Sequence, residues 1–232
     1  MEYRNITEAV FLRRLNRFVA EVELNGAVER VHVKNTGRCA ELLVKGNRVY
    51  LEASDNPSRR TRHDLVAVIR ADGRMVNMDS MAPNKVAGEW LAAGGLGTLH
   101  ELRAEVTAGD SRFDFAATQQ GRPVYIEVKG CTLEQQGVAR FPDAPTERGV
   151  KHVKGLTALT RQGCRCAVLI VIQMKGVTVF EPNWATHPAF GEALTEAQSA
   201  GVELIALDCD VRPGSVKISS PVEINLIRKE SL

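Results

Sequence analysis

Arg112-Phe-Asp-Phe-Ala-Ala-Thr-Gln-Gln-Gly-Arg-Pro-Val-Tyr-Ile-Glu-Val-Lys129 decides how this chain folds in its second half. Its first flank alternates, with Phe113, Phe115 and Ala117 on one strand face and Arg112, Asp114 and Ala116 on the other. The second flank sets Val124, Ile126 and Val128 against Tyr125, Glu127 and Lys129. A two-residue turn at Gln120-Gly121 joins them and predicts a register with Phe115 opposite Ile126, Phe113 opposite Val128 and Asp114 opposite Glu127. Two carboxylates so placed have Cβ atoms roughly 4.5–5.5 Å apart and repel. A divalent cation between them removes the repulsion, and hard oxygen ligands suit Mg²⁺ or Mn²⁺. Lys129, on the face of Glu127, brings an ammonium to where negative charge develops. Cation, water and lysine together are equipment for phosphodiester hydrolysis. The competing reading is a solvated polar face on which Lys129 offsets the two acids.

The elements around this hairpin supply its context. Val86, Trp90 and Leu91 share a helical stripe after Pro83-Asn84, ended by Gly94-Gly95. A strand over Glu101 to Val106 precedes the hairpin. A helix beginning near Pro145, a buried strand (Cys166 to Gln173), a helix (Phe190 to Ala200) and a strand (Val202 to Asp208) follow it. This order predicts a mixed α/β domain with helices on both faces of a sheet. Residues 1–80 read differently. Phe18, Ala20, Val22 and Leu24 alternate with Val19, Glu21 and Glu23, Asn25-Gly26 turns the chain, and Val31 and Val33 continue the pattern. Val49 to Ala53, Leu65 to Arg70 and Met75 to Asp79 complete about five short strands, the signature of a small, partly open barrel. The domains are therefore 1–80 and 81–232, with the boundary near residue 80.

Composition narrows the function classes. The 232 residues hold 30 Lys plus Arg against 28 Asp plus Glu, with 44% hydrophobic and 25% charged. That excludes a disordered chain and a uniformly basic nucleic-acid coat, but not a locally basic surface. The residues from Met1 to Phe18 have no secretory pattern, and the longest aliphatic run, Cys166 to Ile172, is too short for a bilayer. Five cysteines without a C-x-x-C pair argue for reduced thiols and a cytoplasmic setting, not a zinc clamp.

Asp114 with Glu127-Val128-Lys129 in this fold order resembles the PD-(D/E)xK nuclease superfamily. A wider likeness covers nearly the whole chain, which is similar to the sugar fermentation stimulation protein A family. Its matching runs are Arg14–Phe18, Asn35-Thr-Gly-Arg38 with Glu41–Leu43, Asp79–Asn84, Ser111–Phe115, Ile126–Lys129 and Phe141–Gly149. The resemblance implies an N-terminal OB-like barrel followed by a nuclease-like mixed-sheet domain. It also implies non-specific DNA binding and a regulatory role in maltose metabolism. Carried onto this chain, the superfamily site makes Asp114 and Glu127 metal ligands, with the Val128 carbonyl a third candidate and Lys129 the catalytic lysine. A further acid from the preceding helix would be Glu89, with Glu105 as runner-up. Phe113 stands where the superfamily usually has proline.

Other residues are candidates for nucleic-acid contact. Arg59, Arg60 and Arg62 form the densest basic cluster, in a barrel loop of the kind that meets nucleic-acid backbones. Few aromatics accompany it, Tyr50 being the nearest, so sequence-tolerant electrostatic contact is expected. Arg38, Arg112, Arg148 and Lys151 are further phosphate-contact candidates, against the alternative of ordinary solvated faces. Asp143, Pro145 and Thr146 fit a helix cap as well as a site. His152 alone is a poor general base. Asn35, Thr36 and Arg38 are equally ordinary turn chemistry. Gly94-Gly95-Leu96-Gly97 lacks the spacing of a nucleotide-binding loop.

Overall fold

The computed structural model describes residues 1–35, 37–56 and 58–228; Thr36, named above as a turn candidate, lies outside them. Six strands form the N-terminal sheet: β1 (Ile6–Arg14), β2 (Val19–Leu24), β3 (Ala27–Val33), β4 (Arg48–Ala53), β5 (His63–Ile69) and β6 (Met75–Asn77). Their order is β3-β2-β1-β4-β5-β6, and a parallel pairing of β3 with β5 closes the first five into a barrel. The Asn25-Gly26 hairpin forms as the sequence predicts, pairing Leu24 with Ala27, with both turn residues at positive φ. Ala20, Val22, Leu24, Val31 and Val33 fill the barrel, whereas Phe18 departs from the predicted stripe and is exposed. Strand β1 escapes a pattern reading because its buried Ala9 and Phe11 sit among Thr, Glu and Arg.

The remaining elements are α1 (Ala82–Ala92), β7 (His100–Ala108), β8 (Ser111–Gln119), β9 (Arg122–Cys131), β10 (Glu134–Gln135), β11 (Val138–Phe141), α2 (Glu147–Arg161), β12 (Arg165–Ile172), β13 (Val179–Pro182), α3 (Pro188–Ser199), β14 (Glu203–Arg212), β15 (Ser215–Pro221) and β16 (Glu223–Ile224). The main sheet runs β15-β14-β12-β9-β8-β7, and β10-β11-β13-β16 make a small second one. Its centre is parallel: β12 pairs in parallel with both β9 and β14. Such a strand is covered on both faces, which is why Cys166–Ile172 reads as continuous apolar sequence. Val86, Ala87 and Leu91 of α1 pack on one face with Leu169 and Val171. Val153 and Leu156 of α2 and Phe190 and Leu194 of α3 pack on the other with Val168 and Ile170. Helices on both faces are thus as expected.

The two domains share buried polar contacts. Asn77 and Asp79 are fully buried. The Gln173 side-chain amide donates to Asn77 Oδ1 at 2.8 Å and to the Asp79 carbonyl at 3.0 Å. Asp79 also meets Lys34 Nζ at 3.0 Å and Tyr3 Oη at 3.2 Å. All five cysteines are free thiols. Burial pushes the Cys39, Cys131 and Cys209 thiols up to about 12, which makes them packing groups instead of nucleophiles. Among the described residues no helix is long and apolar enough to cross a membrane.

Candidate metal centre

The β8–β9 hairpin takes the predicted register from Gln119–Arg122 to Phe115–Ile126, around a Gln120-Gly121 turn with both residues at positive φ. The ladder then stops. Asp114 does not pair with Glu127; its Oδ2 accepts the Val128 N–H at 2.7 Å, a donor that a regular ladder would send to the facing backbone. On β7, Glu105 occupies the position facing Asp114 and has φ 57°. Across this irregularity the alternation of β8 inverts. Phe115 reaches Gly88 of α1, while Phe113 packs on Tyr125, with ring centroids 5.8 Å apart, and reaches Gly155 of α2. The two phenylalanines expected on one face therefore lie on opposite faces. The interruption also leaves Asp114 tethered beside residue 128 in place of a position across from Glu127.

Two elements hold the acids. Asn84, near the start of α1, donates from Nδ2 to Asp114 Oδ1 at 2.7 Å. Glu127 is only 2% exposed. Its Oε1 accepts from Lys129 Nζ and lies 2.6 Å from His152 Nδ1 of α2. Arg148 Nε, one turn earlier on α2, lies 3.4 Å from His152 Nε2. Arginine only donates, so His152 Nε2 accepts and the ring proton sits on Nδ1, pointing at Glu127. The other oxygen, Glu127 Oε2, is buried with no hydrogen-bond partner among the described residues. A buried carboxylate oxygen without a donor is costly. A cation that Asp114 also reaches would satisfy it, so this donor set fits a hard divalent ion. No group of three His, Cys, Asp or Glu side chains converges among the described residues, so protein carboxylates alone would leave coordination positions open.

Glu89 is not brought to the pair: it is exposed on α1, where its Oε2 meets the Met1 amino group at 2.7 Å. Five helical positions after Asn84, it lies round the helix from Asp114. Glu105 forms an exposed ion pair with Arg112 at 2.6 Å. Arg59 forms a fork with Asp64, its Nη1 3.0 Å from Oδ2. Asp64 is pushed up by burial, but the Arg59 guanidinium, with His32 and Lys34, outweighs this and holds it below the usual carboxylate range. Arg59 is thereby a structural partner of the barrel. Arg60, Arg62 and Arg38 are exposed, as are Arg148 and Lys151 on α2. Thr146 caps α2 by accepting the Gly149 N–H at 3.1 Å. Asn84 and His152 are the partners that residue-by-residue reading missed. Asn84 closes a quoted run, and His152 lies four residues after Arg148, hence on its face of the helix.

A family model described as "SfsA N-terminal OB domain" matches residues 12–78, and one described as "Sugar fermentation stimulation protein RE domain" matches residues 81–215. This chain belongs to the sugar fermentation stimulation protein family. The sugar fermentation stimulation protein homolog of Desulfitobacterium hafniense is 48% identical over 98% of this chain and 99% of its own. That of Ruminiclostridium cellulolyticum is 47% identical over 97% of this chain and all of its own. Among solved structures, that of Pyrococcus furiosus SfsA in complex with Ca²⁺ superimposes with a TM-score of 0.85. It is 28% identical, covering 97% of this chain and 98% of that one.

Proposed function

We propose that this family member is a nucleic-acid-binding protein with a divalent-metal-dependent phosphodiesterase site at Asp114, Glu127 and Lys129. The observation that carries the reading is the asymmetry of Glu127. One oxygen is fixed by Lys129 and His152, and the other is buried without a hydrogen-bond partner among the described residues, while Asp114 is tethered to the N–H of the next residue, Val128. The Ca²⁺ of the Pyrococcus furiosus relative supports a site of hard oxygen donors here too. Asp114 and Glu127 Oε2 would hold the ion. When bound, Mg²⁺ or Mn²⁺ supplies Lewis-acid polarisation and a more acidic water.

The chain's own residues do the rest. Asn84 and the Val128 N–H fix the Asp114 rotamer, and His152 fixes that of Glu127. Lys129 Nζ, only 14% exposed, would bring positive charge to the reacting phosphoryl group. Exposed Arg148 and Lys151 on the adjoining turn of α2, and Arg60 and Arg62 on the barrel, provide phosphate contacts that do not read bases. DNA contact of this kind is expected to weaken steeply with salt.

The test is cleavage of labelled single-stranded and duplex DNA and RNA with Mg²⁺, Mn²⁺ or EDTA, comparing the native chain with Asp114→Asn and Lys129→Ala. Metal-dependent cleavage reduced by about 10²–10⁴-fold in each variant is the expected result. Activity that survives both substitutions, or no cleavage of any substrate by the folded native chain with either metal, overturns the reading.

A further inference from the structure

Three of the family runs contribute residues outside the carboxylate pair: Asn35–Arg38, Asp79–Asn84 and Phe141–Gly149. Asn35 and Gly37 of the first, Ser80 and Pro83 of the second and Phe141 to Thr146 of the third line one cleft of about 420 Å³ between the barrel and the mixed-sheet domain. Arg17 and Asn35 line the barrel side, Arg140, Asp143 and Thr146 the other, and Gly130 lies between them. We propose that this cleft seats one nucleotide of a single-stranded nucleic acid, feeding the adjoining phosphodiester to the carboxylates. This rests on the phosphodiesterase reading above and names its substrate class.

The position of the cleft is the first argument. Three residues around the carboxylates have a near neighbour in the chain on its wall: Pro83 beside Asn84, Gly130 beside Lys129, and Thr146 two residues before Arg148. Gly130 is required there, because a Cβ would meet Pro83 Cγ at 2.5 Å and Gln173 Oε1 at 2.8 Å. The start of α1 can therefore close on β9 just past the lysine.

Its construction is the second argument. Arg14 commits its guanidinium to the barrel wall. Nη1 donates to the carbonyls of Gly37 and Arg38 at 2.8 and 2.7 Å, and Nη2 to those of Arg17 and Asn35 at 2.7 and 2.8 Å. The β1–β2 and β3–β4 loops are thus pinned by one side chain. Ser80 Oγ ties the junction to the Lys34 carbonyl at 2.8 Å. This is a preorganised wall, and it includes the first barrel loop, one of those through which OB folds meet single strands.

Lining chemistry and size supply the third. Arg17 is exposed and available to a phosphate, while Arg140 is shared with Glu181 at 3.3 Å. Asn35 and Asp143 present amide and carboxylate groups suited to a base edge, and Phe141 with Pro83 and Pro145 offers apolar surface to a ring. About 420 Å³ holds a nucleotide-sized ligand. A duplex, whose major groove alone is about 12 Å wide, does not enter it.

Fluorescence anisotropy in EDTA, where no cleavage is needed, tests the seat with fluorescein-labelled oligo-dT, oligo-rU and a blunt DNA duplex of equal length. The single strands should bind about tenfold tighter than the duplex, the worth of a seated base. Thr132 also lines the cleft; Thr132→Trp, which fills it, and Arg17→Ala, on an exposed loop, should each weaken single-strand binding several-fold while the melting temperature and Mn²⁺ affinity stay native. The dT and rU arms separate DNA from RNA as the source, and tight binding of either supports the seat. Equal affinity for duplex and single strands, or single-strand binding unchanged in both variants, overturns it. Loss of single-strand binding in the variants of a chain that cleaves nothing would keep the seat and remove the phosphodiesterase reading.

Discussion

His152 does its work through Glu127, whose carboxylate it holds from a different element. A carboxylate on a strand has free rotation about its terminal bond, and Lys129 alone, on the same strand, is a flexible restraint. The imidazole is rigid, buried on α2 and packed edge-on against Phe113 with ring centroids 6.0 Å apart. Its Nδ1–H therefore fixes which Glu127 oxygen faces the candidate ion. Outer-shell partners of this kind are worth about 10–100-fold in metal affinity. His152→Ala should weaken Mn²⁺ or Ca²⁺ binding in calorimetry by about tenfold. His152→Asn, whose amide N–H replaces Nδ1–H, should recover most of that loss. Native affinity in the alanine variant would reduce His152 to a packing residue under Phe113.

At the scale of the element, α2 is placed by its first turn. Thr146 accepts the Gly149 N–H, and its own N–H is received by His187 Nδ1 at 3.2 Å, so the cap is locked to the segment before α3. A threonine cap is worth about 1 kcal/mol. Thr146→Ala should lower the melting temperature by about 2–4 °C, the shift expected for a domain of this size, with Thr146→Ser close to native in the same scan. This cap and the Gln120-Gly121 hairpin were legible because each is specified by a few adjacent residues. The inversion at Asp114 was not, because it arises when one carboxylate takes a backbone donor, and strict alternation carries no mark of that. Asp64 likewise claims Arg59 only once the chain has turned back on itself, so a dense basic run overstated the free positive surface. The β10-β11-β13-β16 sheet left no trace either: its strands have two to four residues, too few for a period to register.

Over the whole molecule, the two domains are joined by charge as well as by the Asn77–Gln173 contacts. Arg70 and Arg74, at the β5–β6 turn of the barrel, both reach Oε2 of Glu134 on β10, Arg74 at 2.6 Å. Glu134 Oε1 accepts the Gly137 N–H at 2.5 Å. Burial alone would raise the Glu134 carboxyl, but the Gly137 N–H and the two guanidinium groups outweigh it and hold it below the usual range. A folded pKa below the unfolded one contributes stability above the unfolded value, about 4.3 for glutamate, and loses it as pH falls through the folded value. Glu134→Gln keeps the size and removes the charge. It should destabilise the protein by about 2 kcal/mol at pH 7, the scale of hydrogen bonds to a charged group. It should also flatten the decline in denaturation midpoint below about pH 4.3, where the native carboxylate takes up its proton. Parallel acid limbs for native and variant, in urea titrations from neutral pH downward, would show that the bridge between barrel and sheet holds no pH-dependent stability.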